Sequence, residues 1–560
     1  TTRAAAVLAA AVIMGAKRSP ALSDPVFVNT SPSQNRRWEA VFTNTVPLRW
    51  EWNTHAATSN YLWQAFLSVT SPDKDMMIPI RVDGVSEKPC YGVIKNGKWK
   101  RAFPKSTAAV SVCNLADGSV SVPPVAAGSG RVANDISLPS QLWMLSDTQN
   151  DIFVKPILKR WRPYDDFVRF DMDRKYPKFM RRLSHVASLD KPVDGAVMDV
   201  SLVNGDAFET VRRLRTTLRV GQKGIGEKDV CVQVLGDSYT HGEFFRDALL
   251  DSGYVPKLHL EGLLRCRPKG ETDHYNEGRG GATLGTYFQV PMGELRFYHG
   301  FMHPREGRYW GSRAFWVMAW RCFRGTQPEG FEPTYVCSRY DRCLPRFDEK
   351  TGTLLHPEPG DIQYDDNAKT MARWSGKEWT TVDMNGLTWG FDYAKYLAMW
   401  KLKKPDFLFV LLGLNDFINS PKADFAQWGE RITIMKDSYL KACPGGRFVI
   451  CIPCSTCGSI DNLDGVFTPS QNAAMWRFRD WLIRNFDNRV NEGFYLLDVS
   501  ACIDEDNGYW LEKGPVTVPH AKYDGEERLK VQKGSPHPYA NYRSMGIPLA
   551  AFIQYFRDRQ

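Results

Sequence analysis

The 560-residue chain has no long hydrophobic run. Its longest uncharged apolar stretch, Ala4 to Ala16, falls short of the roughly 20 residues that a spanning helix needs, which excludes a polytopic membrane protein. Glycine and proline, at 44 and 34 residues, show no excess, so neither a collagen-like nor a low-complexity chain fits. A concentrated basic stripe is also missing. The 72 Lys and Arg against 63 Asp and Glu leave +9, spread along the chain, and nucleic acid is not the expected partner. Metal-binding spacing is absent as well. Cys454 and Cys457 form a lone Cys-x-x-Cys without a second pair or a His pair at zinc spacing, so they are taken as structural and no metal or cofactor is expected. What the chain does have is apolar bulk, with 18 Trp, 22 Tyr and 30 Phe.

Residues 1–24 have the form of an export-signal remnant. Arg3 precedes the apolar run, Lys17, Arg18 and Pro20 end it abruptly, and Ser19-Pro20-Ala21 offers small residues to a signal peptidase. A buried Ala-rich helix is the alternative. A secreted, periplasmic or cell-surface location follows as an expectation, with no integral membrane contact beyond that segment. Export would permit disulfides among the twelve cysteines. Cys337 and Cys343 bracket a short charged loop and could pair, whereas Cys231 and Cys451 lie in apolar runs where a thiol packs as a small hydrophobe.

Residues 25–225 are rich in short alternating runs, such as Val46–Trp52 and Leu214–Val220, which predict antiparallel sheets, most simply one or two β-sandwich modules. Across the polar, glycine-bearing stretch Gly221–Lys228 the pattern changes. From 226 to 560, apolar runs at Val230–Leu235, Phe407–Leu412, Phe448–Ile452 and Phe494–Val499 alternate with helical stretches at His241–Asp251, Phe391–Lys401, Gln471–Asn488 and Asn541–Arg559. Strands alternating with helices predict an α/β layer fold with a parallel sheet, whose chemistry belongs at the carboxyl ends of the strands.

The residues at those ends are the candidates. Gly236-Asp237-Ser238-Tyr239 follows the first strand, Gly413-Leu414-Asn415-Asp416 follows the second, and Ser535-Pro536-His537-Pro538 precedes the last helix. Between the first two lies Asn276-Glu-Gly-Arg-Gly-Gly281-Ala-Thr283, whose glycines let backbone amides approach a ligand. Singly, each is an ordinary cap or turn. In this order and at these places they resemble the SGNH (GDSL-type) serine hydrolase superfamily, in the form of its exported bacterial members, over residues 228–560.

The resemblance implies a three-layer flavodoxin-like hydrolase domain with Ser238 as nucleophile and His537 as base. The backbone amides of Ser238 and Gly281 and the Asn415 side chain would form the oxyanion hole. One position departs from the family pattern. Three residues before the histidine, where members usually carry Asp, stands Gly534. A backbone carbonyl could orient the imidazole, giving a Ser–His dyad; Asp524 could reach across from the preceding loop; or the site is slow or dead. The dyad is favoured, because the other blocks are intact. His241 is read as lining the cleft and His520 as a loop residue.

The expected activity is that of an exported carboxylic ester hydrolase (serine esterase) working through an acyl-enzyme, with an acylated, chiefly acetylated, carbohydrate as its substrate. A lipid or small-ester hydrolase is the second enzyme reading, although no long apolar lid is evident. A glycan-binding module on a disabled hydrolase fold is the non-enzyme reading. Residues 294–378, with Trp310, Trp316, Trp320 and Trp374, exceed what the core fold needs. They could stack on sugar rings or form a small packed subdomain.

Overall fold

The computed structural model describes residues 134–159, 166–172, 180–182, 185–204, 210–266, 273–292, 298–329, 339–418, 425–454, 469–505, 508, 511–515, 527–531, 537 and 542–557, together with strands at 48–55, 62–69, 75–80, 90–95 and 98–99. The proposed signal remnant, Cys337, Cys457, His520, Asp524 and Gly534 lie outside these residues. The chain divides into two compact units. One comprises Thr1–Asn134, Cys457–Pro469 and Tyr509–Pro536; the other comprises Asp135–Thr456, Ser470–Gly508 and His537–Gln560. In the first, Leu48–His55 pairs antiparallel with Leu62–Val69, Asp75–Ile80 with Cys90–Lys95, and Leu511–Pro515 with Glu527–Val531.

The second unit is built on a parallel sheet. Its strands are β1 (Val230–Gly236), β2 (Leu258–Glu261), β3 (Phe407–Leu411), β4 (Arg447–Ile452) and β5 (Phe494–Asp498), in the order β2-β1-β3-β4-β5. All five positions of β3 are buried, as expected for a strand covered on both faces. Beyond the reach of β2, the same edge of β1 is taken by the short strand Tyr275–Gly278, which pairs Glu277 with Leu235 and Gly278 with Gly236.

Alternation along the strands sets the layers. Gln233 points to one face, where its side chain bonds the hydroxyls of Tyr393 (2.5 Å) and Tyr396 (2.9 Å) on α1 (Tyr393–Trp400). On that same face Tyr439 of α2 (Ala426–Ala442) meets Phe448, and α3 (Pro469–Phe486) brings Phe486 to Phe494. Phe407 and Phe409 point to the other face, against Phe552 of α4 (Tyr542–Arg557). The sheet is therefore the middle of three layers.

Four strands and three of the helices fall within a residue or two of the sequence expectation. Two elements were not anticipated: β2, whose sequence Leu-His-Leu-Glu carries two polar residues, and α2, whose apolar periodicity is weak. The helix expected over 241–251 is broken. A four-residue turn, Ser238–His241, ends at Gly242, Glu243 takes φ 58°, and a π-turn follows at Asp247–Asp251. Among the described residues no helix is long and apolar enough to cross a membrane. Among the described residues eight cysteines, Cys343 included, are free thiols; Cys451 is buried in β4 and Cys231 is half-buried in β1.

Strands between 141 and 221 belong to this same unit. Gln141–Leu145, Thr210–Gly221, Val197–Asn204 and Asp166–Met172 form a four-stranded sheet, and Asn150–Phe153, Val186–Leu189 and Met180–Arg182 a three-stranded one. Along Thr210–Gly221, Leu218 and Val220 are buried and Arg215 is exposed, as the alternation predicted, whereas Thr216, a residue type expected on the solvent face, is buried with them. The four-stranded sheet covers the outer side of α4. Trp143 packs its ring against Phe552 (4.5 Å), Tyr555 (5.1 Å) and Phe556 (5.6 Å) and donates to the Leu496 carbonyl of β5 at 3.2 Å. Gly221 approaches the helix so closely that a Cβ would lie 2.3 Å from the Ala551 carbonyl oxygen. Removing a buried indole leaves a large void, so Trp143→Ala should cost about 3–5 kcal/mol in urea unfolding of the second unit. A loss below about 1 kcal/mol would mean that this sheet merely hangs on the helix.

Candidate functional site

β1 ends where only glycine fits. A Cβ on Gly236 would lie 2.2 Å from Thr240 Oγ1 and 2.6 Å from the Leu411 carbonyl oxygen. The chain can then turn at Asp237, whose carboxylate accepts the Tyr239 amide at 3.0 Å and caps the turn Ser238–His241. Ser238 is thereby set at the carboxyl edge of the central strand, half-buried.

Its partner is His537. Nε2 of the imidazole lies 2.8 Å from Ser238 Oγ, and with Nε2 accepting this is the bond that a general base needs. The ring is half-buried between aromatics: Phe244 stacks on it at 5.7 Å and Tyr239 meets it edge-on at 5.2 Å. Burial lowers its pKa to about 4, so the imidazole is neutral, and able to take a proton, over most of the pH range. His241, also half-buried, stands three residues after Ser238, and the serine pairs with His537.

Asn415 joins the remaining two blocks. Gly413 opens its loop at φ 117°, a left-handed conformation, and the Phe478 ring leaves no room for a Cβ there. The Asn415 Nδ2 then donates to the Ala282 carbonyl at 3.1 Å and to Asp237 Oδ2 at 3.3 Å. It thus sits at the seam between the residue before Ser238 and the residue after Gly281. Gly281 itself is exposed with φ 82°. Asp416 accepts the Leu284 amide with both carboxylate oxygens at 3.1 Å, fixing the far side of the same loop. Ser238, His537, Asn415 and the Gly281 loop are therefore neighbours, although nearly 300 residues apart in sequence.

Several residues of this site carried no assigned role in the sequence. Asp237 and Asp416 lay inside the blocks without a task. Glu277 and Arg279, also in a block, form an ion pair at 2.7 Å with no exposure of either side chain. Tyr287, outside every block, is wholly buried beneath the Ser238 turn. A single tyrosine offers no spacing signal, and only the folded chain reveals its place.

The aromatic segment resolves toward packing. Trp310 and Trp316 are buried; Trp316 stacks on Phe347 at 3.6 Å and meets Trp400 at 6.0 Å. Trp320 donates to the Phe347 carbonyl, and Trp374 lies 5.6 Å from Trp379 across a hairpin; both are half-buried. Trp310 and Trp316 are thus unavailable to sugar rings. Among the described residues no three His, Cys, Asp or Glu side chains converge as a metal site.

No protein-family model matches the chain, and no curated protein matches it. Among solved structures it matches the crystal structure of a carbohydrate esterase family 3 protein from Talaromyces cellulolyticus. That match has 11% identity over 59% of this chain and 99% of that one, with a TM-score of 0.26. A superposition that loose fixes neither substrate nor mechanism.

Asp237, buried, and Asp416, half-buried, give the site a pH signature. Burial, with Asp416 facing it, raises Asp237 to about 7, and burial raises Asp416 to about 6. A folded pKa above the unfolded value means that the native state holds this proton more tightly. That contribution to stability is full below about pH 4 and is lost as pH rises through the folded pKa near 7. Asp237→Asn should therefore flatten the fall in Tm between about pH 4 and about pH 7. An unchanged slope in thermal melts would assign that fall to other groups.

Proposed function

We propose that the chain is a serine esterase of the SGNH type that removes acyl groups, acetyl foremost, from a poly- or oligosaccharide outside the cell. The observation that carries the hydrolase part is the 2.8 Å contact between Ser238 Oγ and His537 Nε2 at the carboxyl end of β1, with Asn415 and the Gly281 loop beside it. The strand order 2-1-3-4-5 supports the flavodoxin-like arrangement that the sequence resemblance implies. The carbohydrate, acetyl and export parts rest on the sequence resemblance and on the N-terminal segment. The buried Trp310 and Trp316 lend them nothing.

In this mechanism Ser238 Oγ attacks the ester carbonyl carbon as its proton passes to His537 Nε2. The carbonyl π pair moves onto oxygen, where the Ser238 and Gly281 amides and the Asn415 carboxamide receive it. One such donor is worth ~3–4 kcal/mol. Collapse breaks the bond to the alcohol, which leaves with the proton from Nε2. Water then gives its proton to Nε2 and attacks the acyl-enzyme. The second collapse releases the acid and returns the proton to Oγ. Asn415 already has acceptors in Ala282 and Asp237, so it must redirect an N–H to the oxyanion as charge develops there.

A fluorophosphonate should label the wild-type protein and not Ser238→Ala. The same substitution should reduce hydrolysis of a nitrophenyl acetate by at least about 10⁴-fold. Folded wild-type protein that resists labelling would sink the esterase reading. With a base held near 4, the acidic limb of kcat/KM should fall at about pH 4, well below the ordinary imidazole value. A limb near pH 6.5 would remove His537 as the group that sets it. Under the dyad reading Asp524→Asn leaves the rate nearly unchanged, whereas a drop of several orders of magnitude would make Asp524 the orienting acid. Acetate release from acetylated xylan, pectin and chitin fragments tests the substrate class.

A further inference from the structure

We infer that Tyr287 is a positioning residue for transition-state stabilisation, its hydroxyl setting the gap between the Ser238 turn and the Gly281 loop. This rests on the esterase reading, since it assigns the two segments to one oxyanion hole. The Tyr287 hydroxyl lies 2.7 Å from the Gly236 carbonyl oxygen and 2.6 Å from that of Glu277. Gly236 stands two residues before Ser238, and Glu277 four residues before Gly281. One phenolic proton is thus shared between the backbones of the two segments that supply the amides.

The surroundings let that bond act as a spacer. The two backbones are already in parallel register, Leu235 with Glu277 and Gly236 with Gly278, and the Arg279 amide donates to the Gly236 carbonyl at 3.0 Å. They already approach so closely that a Cβ on Gly278 would lie 2.1 Å from the His241 nitrogen. Separation is opposed from below by the side chain of Glu277. Its carboxylate takes the Leu263 amide (2.8 Å), the Tyr396 hydroxyl (2.5 Å) and Arg279 Nη1 (2.7 Å). Burial keeps the Tyr287 phenol well above its ordinary pKa, so it remains a donor. Its ring is packed independently of the hydroxyl, against His299 at 5.4 Å and Phe301 at 6.0 Å. A phenylalanine would keep that packing and lose only the tie.

Misplacing a reacting geometry by about 1 Å can cost 10²-fold in rate. Tyr287→Phe should therefore lower kcat on nitrophenyl acetate by roughly 10–100-fold with KM within about twofold, after correction for active sites titrated with fluorophosphonate. Its acidic limb should stay near pH 4, because His537 is untouched. Tyr439→Phe is the control. It removes another buried hydroxyl, bonded to the Pro405 carbonyl at 2.9 Å, and should lower Tm while leaving kcat within about twofold. An unchanged kcat in Tyr287→Phe, or a loss shared equally with Tyr439→Phe, would overturn the assignment. So would loss of near-ultraviolet dichroism, which would make the hydroxyl a folding requirement. A wild-type protein that takes no fluorophosphonate overturns the esterase reading instead, so the two failures are told apart.

Discussion

Glu277 and Arg279 form an ion pair entirely out of water, and much of the site is arranged around satisfying it. Taking both charges from water costs several kcal/mol per ion, which a good pair offsets only if the remaining donors and acceptors are matched. Here they are. Arg279 gives Nε to the Tyr298 carbonyl at 2.8 Å and Nη2 to the Tyr340 hydroxyl at 3.4 Å, while Glu277 gathers the Leu263 amide and the Tyr396 hydroxyl. Burial pushes the Glu277 carboxyl above its ordinary range even with Arg279 beside it. Such a pair favours one arrangement of the loop over all others, because any slip strands a charge.

That network gives the aromatic segment a purpose different from a lid. Tyr298 and Tyr340, which hold Arg279, belong to it, and they are packed by Phe315, Trp316 and Trp400. The extra residues between the second and third blocks buttress the Gly281 loop from beneath. The strands between 141 and 221 play a comparable part for α4, which is clasped between the parallel sheet and Trp143.

What the sequence made legible follows from how many residues repeat a signal. β1, β3, β4 and β5 are runs of apolar residues buried on both faces, and four or five in a row are enough to mark them. β2 has only four residues, two of them polar, because His259 and Glu261 bond each other at its edge position. The break after Ser238 was hidden because Gly242 is tolerated in helical patterns, and Glu243 at φ 58° is a choice of tertiary packing. Ser238, His537 and Asn415 could be singled out because each follows a strand or precedes a helix in a recognisable block. Tyr287 and the neighbours of His537 could not, since Phe244 and Tyr239 acquire meaning only when the chain returns some 300 residues later.

The aromatic walls around His537 have a kinetic consequence. Phe244 and Tyr239 shield the imidazole from water and make it reluctant to hold a proton, so in the proposed mechanism it takes one from Ser238 against a gradient. Once protonated, however, it is a far stronger acid than an ordinary imidazolium and surrenders the proton readily to a departing alkoxide. The same acidity serves expulsion of the alcohol and return of Ser238 alike, so it shortens the life of the tetrahedral species without choosing the direction of its collapse.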